Sequence, residues 1–169
     1  MSTPMAATTD LTPSPAEPFG PIGTILPHRG TMLLLDRISA CDDATLTAHA
    51  SVHGDAWYAD EHGAMPAWIG IELMAQAVAA HIALLAVRAG GTARPGVLLG
   101  TRRYRAASTA FACGAQLRIE VNELLTSEAG HSAYECVIVD EQGVRCAEAD
   151  IKAYQPADFQ TFIEGSVRP

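Results

Sequence analysis

One stretch limits what this chain can become. From Pro66 to Val87 it is almost uncharged, and apolar residues recur on every side of a helical wheel: Ile69, Ile71, Leu73, Met74, Val78, Ile82, Leu84, Leu85 and Val87. A helix that is apolar all round must be surrounded by protein or by lipid. Pro66 suits a first-turn position, where a missing N–H costs nothing, and Gly90-Gly91 is a strong stop. Glu72, Gln76 and His81 interrupt the stretch, which is otherwise rich in alanine. It therefore reads as the rod of a soluble core rather than as a membrane span.

Strand-like runs flank this rod. Met32 to Ile38 is an apolar run suited to a strand, and Asp42-Asp43 supplies a turn. Ala44 to Val52 alternates strictly, with Leu46, Ala48, Ala50 and Val52 on one face. That period of two marks a half-buried strand. After the helix come four more runs, Val97 to Ala106, Ala115 to Leu125, Ser132 to Val139 and Val144 to Tyr154. Asp140-Glu141-Gln142-Gly143 joins the last two as a hairpin turn. Two strands, one long helix and four strands pack most simply as an antiparallel sheet wrapped around the helix, an α+β fold.

The length of 169 residues fits one domain, expected over 21–169. Residues 1–20 are rich in Ser, Thr, Pro and Ala without either period, and read as a mobile arm. The net charge of −8 argues against a nucleic-acid partner, which would call for a basic surface. The four cysteines form no CxxC pair, so they point to buried thiols in a reducing compartment. The first basic residue is Arg29 and the start has no apolar signal core, so a cytoplasmic location is expected.

Two segments carry a family likeness. Leu26 to Arg37, LPHRGTMLLLDR, resembles the opening of the 3-hydroxyacyl-carrier-protein dehydratases, a Pro-His-Arg followed by an apolar run and Asp-Arg. Met65 to Gln76, MPAWIGIELMAQ, resembles the start of that family's central helix, with Met-Pro, a carboxylate and Met-Ala-Gln. Arg94 to Tyr154 is compatible but less specific. The resemblance, over about residues 22–155, implies the hot-dog fold, a sheet around one helix. It also implies side-by-side pairing of subunits, with active sites at the seam. Within the family the chain looks closest to small dehydratase-like proteins of specialised polyene or fatty-acid biosynthesis. Two positions depart from the pattern. The family histidine lies seven residues before the Met-Pro, where this chain has Tyr58, and a four-residue deletion would align His62 instead. Ala67 stands where the family has glycine.

Removing water from a 3-hydroxyacyl thioester needs a base for the C2 proton, an acid for the leaving hydroxyl, and donors for charge on the thioester oxygen. Glu72, the one acid in the apolar helix, is the expected acid, with its pKa raised if it is buried. His62 is the expected base, since neutral imidazole accepts protons near pH 7. His28, in the matched Pro-His-Arg segment, is the runner-up. Backbone N–H groups around Ala67 and Trp68 would hold the oxyanion. Gln76, one turn after Glu72, would orient it or the substrate hydroxyl. Arg102, Arg103 and Arg105 interrupt an acidic chain, and would dock an acidic acyl carrier protein by charge; a solvated strand with scattered salt bridges is the plainer reading. His53, Asp55, Asp60, Glu61 and His62 match no known metal spacing, so no metal or other cofactor is expected.

The resulting expectation is a homodimeric lyase that dehydrates 3-hydroxyacyl chains on acyl carrier protein. Two alternatives stand beside it. One is a hot-dog thioesterase in which Glu72 or Asp60 activates water. The other is a non-catalytic acyl-binding subunit, which the shortened histidine loop favours.

Overall fold

The computed structural model describes residues 18–166, so the arm expected for 1–20 lies outside them apart from its last three residues. Of those, Phe19 packs against the hydrophobic core. In chain order the elements are α1 (Ile22–Ile25), β1 (Arg37–Cys41), β2 (Thr45–Ser51), β3 (Met65–Pro66), α2 (Gly70–Arg88), β4 (Val97–Ala106), β5 (Ala110–Phe111), β6 (Gln116–Thr126), β7 (His131–Val139), β8 (Arg145–Tyr154) and α3 (Phe159–Ser166). Six strands form one antiparallel sheet in the order β1-β2-β6-β7-β8-β4, and β3 pairs with β5 in a small second sheet.

The alternation read in the sequence decides which strand faces are covered. Leu46, Ala48 and Ala50 of β2, Leu117, Ile119 and Val121 of β6, and Tyr134, Cys136 and Ile138 of β7 are all buried. They meet Leu73, Met74, Ala77, Val78 and Ala80 of α2 in one core. The Ala67–Arg88 segment is long and apolar enough to cross a membrane by length and composition, but here its apolar surface is largely spent on the sheet.

The helix is not enclosed on every side, as its composition implied. Its sheet face is buried, whereas Glu72, Ala75, Ala79 and Ile82 on the other side are only partly covered, and Val87 is exposed. The difference follows from the sheet's reach: it curls over one face of the rod and leaves a stripe of the other free. The helix also begins later than expected. Met65 and Pro66 pair with Phe111 and Ala110, and a 3₁₀ turn at Ala67–Ile69 leads into α2. At the other end Gly90, at φ +79°, and Gly91 send their N–H groups back to the carbonyls of Val87 and Ala86. This is a glycine C-cap.

The strand expected at Met32 to Ile38 does not form there. Gly30–Met32 is a 3₁₀ turn and β1 starts only at Arg37. The cause is a competing partner. Gln76 of α2 takes the Leu34 N–H and donates to the Met32 carbonyl, so this backbone hydrogen-bonds to a helix side chain instead of a neighbouring strand.

Candidate active site

The first turns of α2 and the segment Pro27–Leu34 meet through one buried amide. Gln76 is fully buried. Its Nε2 donates to Oε1 of Glu72 at 2.9 Å and to the carbonyl of Met32 at 2.7 Å, and its Oε1 accepts the Leu34 N–H at 3.0 Å. All of its hydrogen-bonding capacity except one lone pair is therefore committed. It ties the helix carboxylate to the chain that follows His28.

That tether sets His28 against Glu72. Nε2 of His28 lies 3.6 Å from Oε1 of Glu72, with the side chains 29% and 36% exposed. The carboxylate is thus half-buried at the rim of a cavity, not sunk in the core as the apolar helix suggested. Nδ1 of His28 is the one buried side-chain polar atom among the described residues that lacks a hydrogen-bond partner. A buried orphan of this kind is uncommon in a settled core and marks a place where a further group can bind. Arg29 cannot supply a donor elsewhere with the same nitrogen, because its Nη1 turns back onto the carbonyls of Leu26 and His28.

A cavity of about 480 Å³ opens beside the pair. His28, Glu72 and Gln76 contribute its polar groups on the helix side, and Leu26, Val78 and Ile151 are among its apolar walls. An apolar cleft of this size with a few convergent polar groups has the form of a small-molecule site.

The other residues singled out in the sequence fall elsewhere. His62 does not line the cavity. Its side chain is 81% exposed, and its ring faces Glu61 at 3.7 Å. Its backbone N–H, with that of Ala64, is held by Oδ1 of Asp60. These backbone donors, Ala64 first, hold the Asp60 carboxyl below its ordinary range. Asp60 is therefore committed to shaping the loop. Ala67 and Trp68 also lie outside the cavity lining. The Ala67 N–H is already spent on the Thr109 carbonyl at 2.9 Å, and the Trp68 side chain is exposed. No group of three or more His, Cys, Asp or Glu among the described residues is placed to hold a metal ion.

The three arginines of β4 do not form a uniform basic patch. Arg103 pairs with Asp150 at 2.8 Å, and Arg105 faces Glu148 at 3.4 Å. Arg102 is exposed and makes no ion pair among the described residues. A bulge between Arg102 and Arg105, with Arg103 at φ +54°, breaks the alternation here. The Tyr104 hydroxyl donates to the Ala67 carbonyl, and burial pushes its pKa up. The strand is thereby pinned to the start of the helix. Gly70 leaves room at this junction: a Cβ there would meet the Tyr104 hydroxyl at 2.6 Å, and the ring would have to shift.

His62 draws the base assignment in the sequence by its place in the loop before Met-Pro, whereas within one chain it is His28 that lies beside Glu72. The sequence signal for this nearness is Gln76: a glutamine inside an apolar helix must find polar partners, and the segment after His28 supplies them.

Comparison with known proteins agrees with the fold. A chain of the dehydratase heterocomplex ApeI:P from Xenorhabdus doucetiae superposes with a TM-score of 0.82 at 27% identity, covering 89% of this chain and 99% of that one. A hypothetical thioesterase protein from Streptococcus pneumoniae solved with coenzyme A gives 0.57 at 14% identity, covering 72% and 88%. The PaaI protein of E. coli gives 0.57 at 14%, covering 72% and 78%. The last two share the hot-dog architecture and speak to fold alone. No curated protein matches. The family model of the ApeP dehydratases spans residues 20–164, nearly all of the described structure, and the chain belongs to this ApeP-like family of hot-dog dehydratases.

Proposed function

We propose that the protein removes water from 3-hydroxyacyl thioesters carried on acyl carrier protein, giving the trans-2-enoyl thioester, in fatty-acid or polyene-type biosynthesis. The observation that carries this reading is the His28–Glu72 pair at 3.6 Å on the rim of an apolar cavity. Elimination needs one group to take the C2 proton and another to protonate the departing C3 hydroxyl. An imidazole and a carboxyl at this separation can address adjacent carbons of one chain. His28 in its neutral form takes the C2 proton, and Glu72 in its acid form gives a proton to the hydroxyl, which leaves as water. Gln76 keeps the carboxyl in place and supplies no proton.

A second assignment of the base follows from one observation. His62 stands 81% exposed on a loop that its own chain leaves uncovered, so a neighbouring subunit could receive it at its own Glu72. The reading expects such a neighbour. β4 is an edge of the sheet, and Leu98 and Leu99 on it are exposed. Edge strands with apolar side chains invite pairing. A second copy of this chain would form the homodimer. The heterocomplex of the ApeI:P structure makes a distinct dehydratase subunit the other candidate. Release of free thiol without enoyl product would instead support the thioesterase reading, and carrier binding without turnover the non-catalytic one.

The test is direct. Purified protein, alone and with a dehydratase partner subunit, is given a 3-hydroxyacyl-carrier protein, and loss of water from the acyl group is followed by mass spectrometry. The reading expects enoyl product that Glu72→Gln abolishes. Enoyl formation unaffected by Glu72→Gln contradicts it.

A further inference from the structure

The cavity has a direction. β4 runs antiparallel to α2: the Tyr104 hydroxyl reaches the Ala67 carbonyl at the start of the helical segment, whereas Val97 follows shortly after its end. Val97 is the Cα partner of Tyr154 in β8. Both residues line the cavity. They therefore stand at its far end, with His28 and Glu72 at the near end.

Between these ends the helix lines the cavity with Ala75, Val78, Ala79, Ile82 and Ala83 beyond the Glu72–Gln76 pair. After Glu72, the cavity-facing positions one turn apart are Ala75 or Gln76, Ala79 and Ala83. At 1.5 Å per residue, Glu72 to Ala83 covers roughly 16 Å. The near end is polar and the helix floor is apolar, three alanines with Val78 and Ile82 beside them, so the slot suits a long unbranched chain with a polar head at the pair. The far wall is braced. The Tyr154 ring stacks on His131 with centroids 4.4 Å apart and meets Phe162 of α3 edge-on at 5.4 Å. Gln155 next to it donates to the Arg94 carbonyl and ties down the segment that enters β4.

We infer that Ala79 and Ala83 set the length of acyl chain the protein accepts, with Tyr154 as the end wall. The inference rests on the reading of His28 and Glu72 as the reacting end. Small side chains one turn apart leave the slot open, and a larger one at either position closes it at that depth. The two positions differ by four residues, about 6 Å along the helix. A block at Ala79 therefore stops the chain closer to the pair than a block at Ala83.

The experiment compares wild type, Ala79→Leu, Ala83→Leu and Tyr154→Ala on a series of 3-hydroxyacyl-carrier proteins of increasing chain length. Ala79→Met, whose flexible side chain can fit with less strain, accompanies Ala79→Leu so that a folding defect in one does not silence the position. The ratio of kcat/KM for the longest to the shortest chain is read. It should fall tenfold or more in the Ala79 and Ala83 variants, with the cut-off at a shorter chain for Ala79, and the cut-off should lengthen in Tyr154→Ala. Equal losses at every length, or the same cut-off for both alanines, overturn the inference. Binding of acyl-pantetheine amides of the same lengths, measured by calorimetry, separates the two claims. A length cut-off in binding without any dehydration removes the proposed reaction and keeps the ruler. Dehydration with no length cut-off removes the ruler alone.

Discussion

Gln76 holds Glu72 and the backbone of Met32 and Leu34 at once, so the helix carboxylate and the chain following His28 move as one piece. A dehydration site needs its acid and base in register to within a fraction of an ångström. One buried side chain meets that need here. Replacing it disturbs both reacting groups.

Gln76→Leu should therefore act on stability and on catalysis together. It leaves the part-buried Leu34 N–H and Met32 carbonyl without their side-chain partner, a cost of about 1–3 kcal/mol for the two. Urea unfolding followed by circular dichroism measures it. Turnover at a temperature where the variant remains folded should still drop, because Glu72 is no longer held. A variant as stable and as active as wild type contradicts the role.

His81 is a different kind of helix histidine. It is fully buried, with Nδ1 2.9 Å from the Tyr134 hydroxyl and Nε2 3.0 Å from the Asp42 carbonyl. Tyr134 in turn donates to Glu123 at 3.0 Å. His81→Leu removes the partner of the Asp42 carbonyl and one partner of the tyrosine, and should cost about 2–4 kcal/mol. Tyr134→Phe, which keeps the ring packing, should cost about 1–2 kcal/mol. Denaturant midpoints of the two variants test the order; equal midpoints with wild type contradict it.

The fold was legible where pattern and packing agree. Alternation over Ala44 to Val52 gave the buried face of β2, and the Asp140–Gly143 turn joined β7 to β8 as expected. Met32 to Ile38 misled, because hydrophobic content shows that a segment is covered but not by what: a helix glutamine, not a strand, took its hydrogen bonds. β3 and β5 escaped notice because two-residue pairings carry no period. In the site, Glu72 and Gln76 stood out as polar residues in an apolar helix. The nearness of His28 depends on a tertiary tether across more than forty residues, which no local pattern encodes.

Thiol chemistry should divide the cysteines by burial. Cys136 is fully covered, and burial first, then the charges of Asp150 and Glu135, pushes its thiol well above the ordinary range. Cys113 is exposed. Thiolate is the reactive form. Alkylation of the native protein at pH 8, read by peptide mass mapping, should modify Cys113 rapidly and spare Cys136 until unfolding. Early labelling of Cys136 contradicts the core packing of β7.

Carrier docking, if β4 provides it, falls on Arg102. Asp150 and Glu148 already face Arg103 and Arg105. Arg102→Glu should raise KM for a carrier-bound substrate about three- to tenfold, and the gap should shrink with added salt, as electrostatic steering does. Substrate on free pantetheine should show no such change. An equal effect on both substrates contradicts docking at this residue.

The most direct test of the account sets the two histidines against each other. Single-turnover dehydration of a 3-hydroxyacyl-carrier protein is timed for His28→Ala and His62→Ala in the assembled protein, with folding verified by circular dichroism. The account predicts that His28→Ala loses about 10²–10⁴ in rate, the range for a missing general base, while His62→Ala stays within a few-fold of wild type. Full activity in His28→Ala, with the loss in His62→Ala, would contradict it and move the base to the loop.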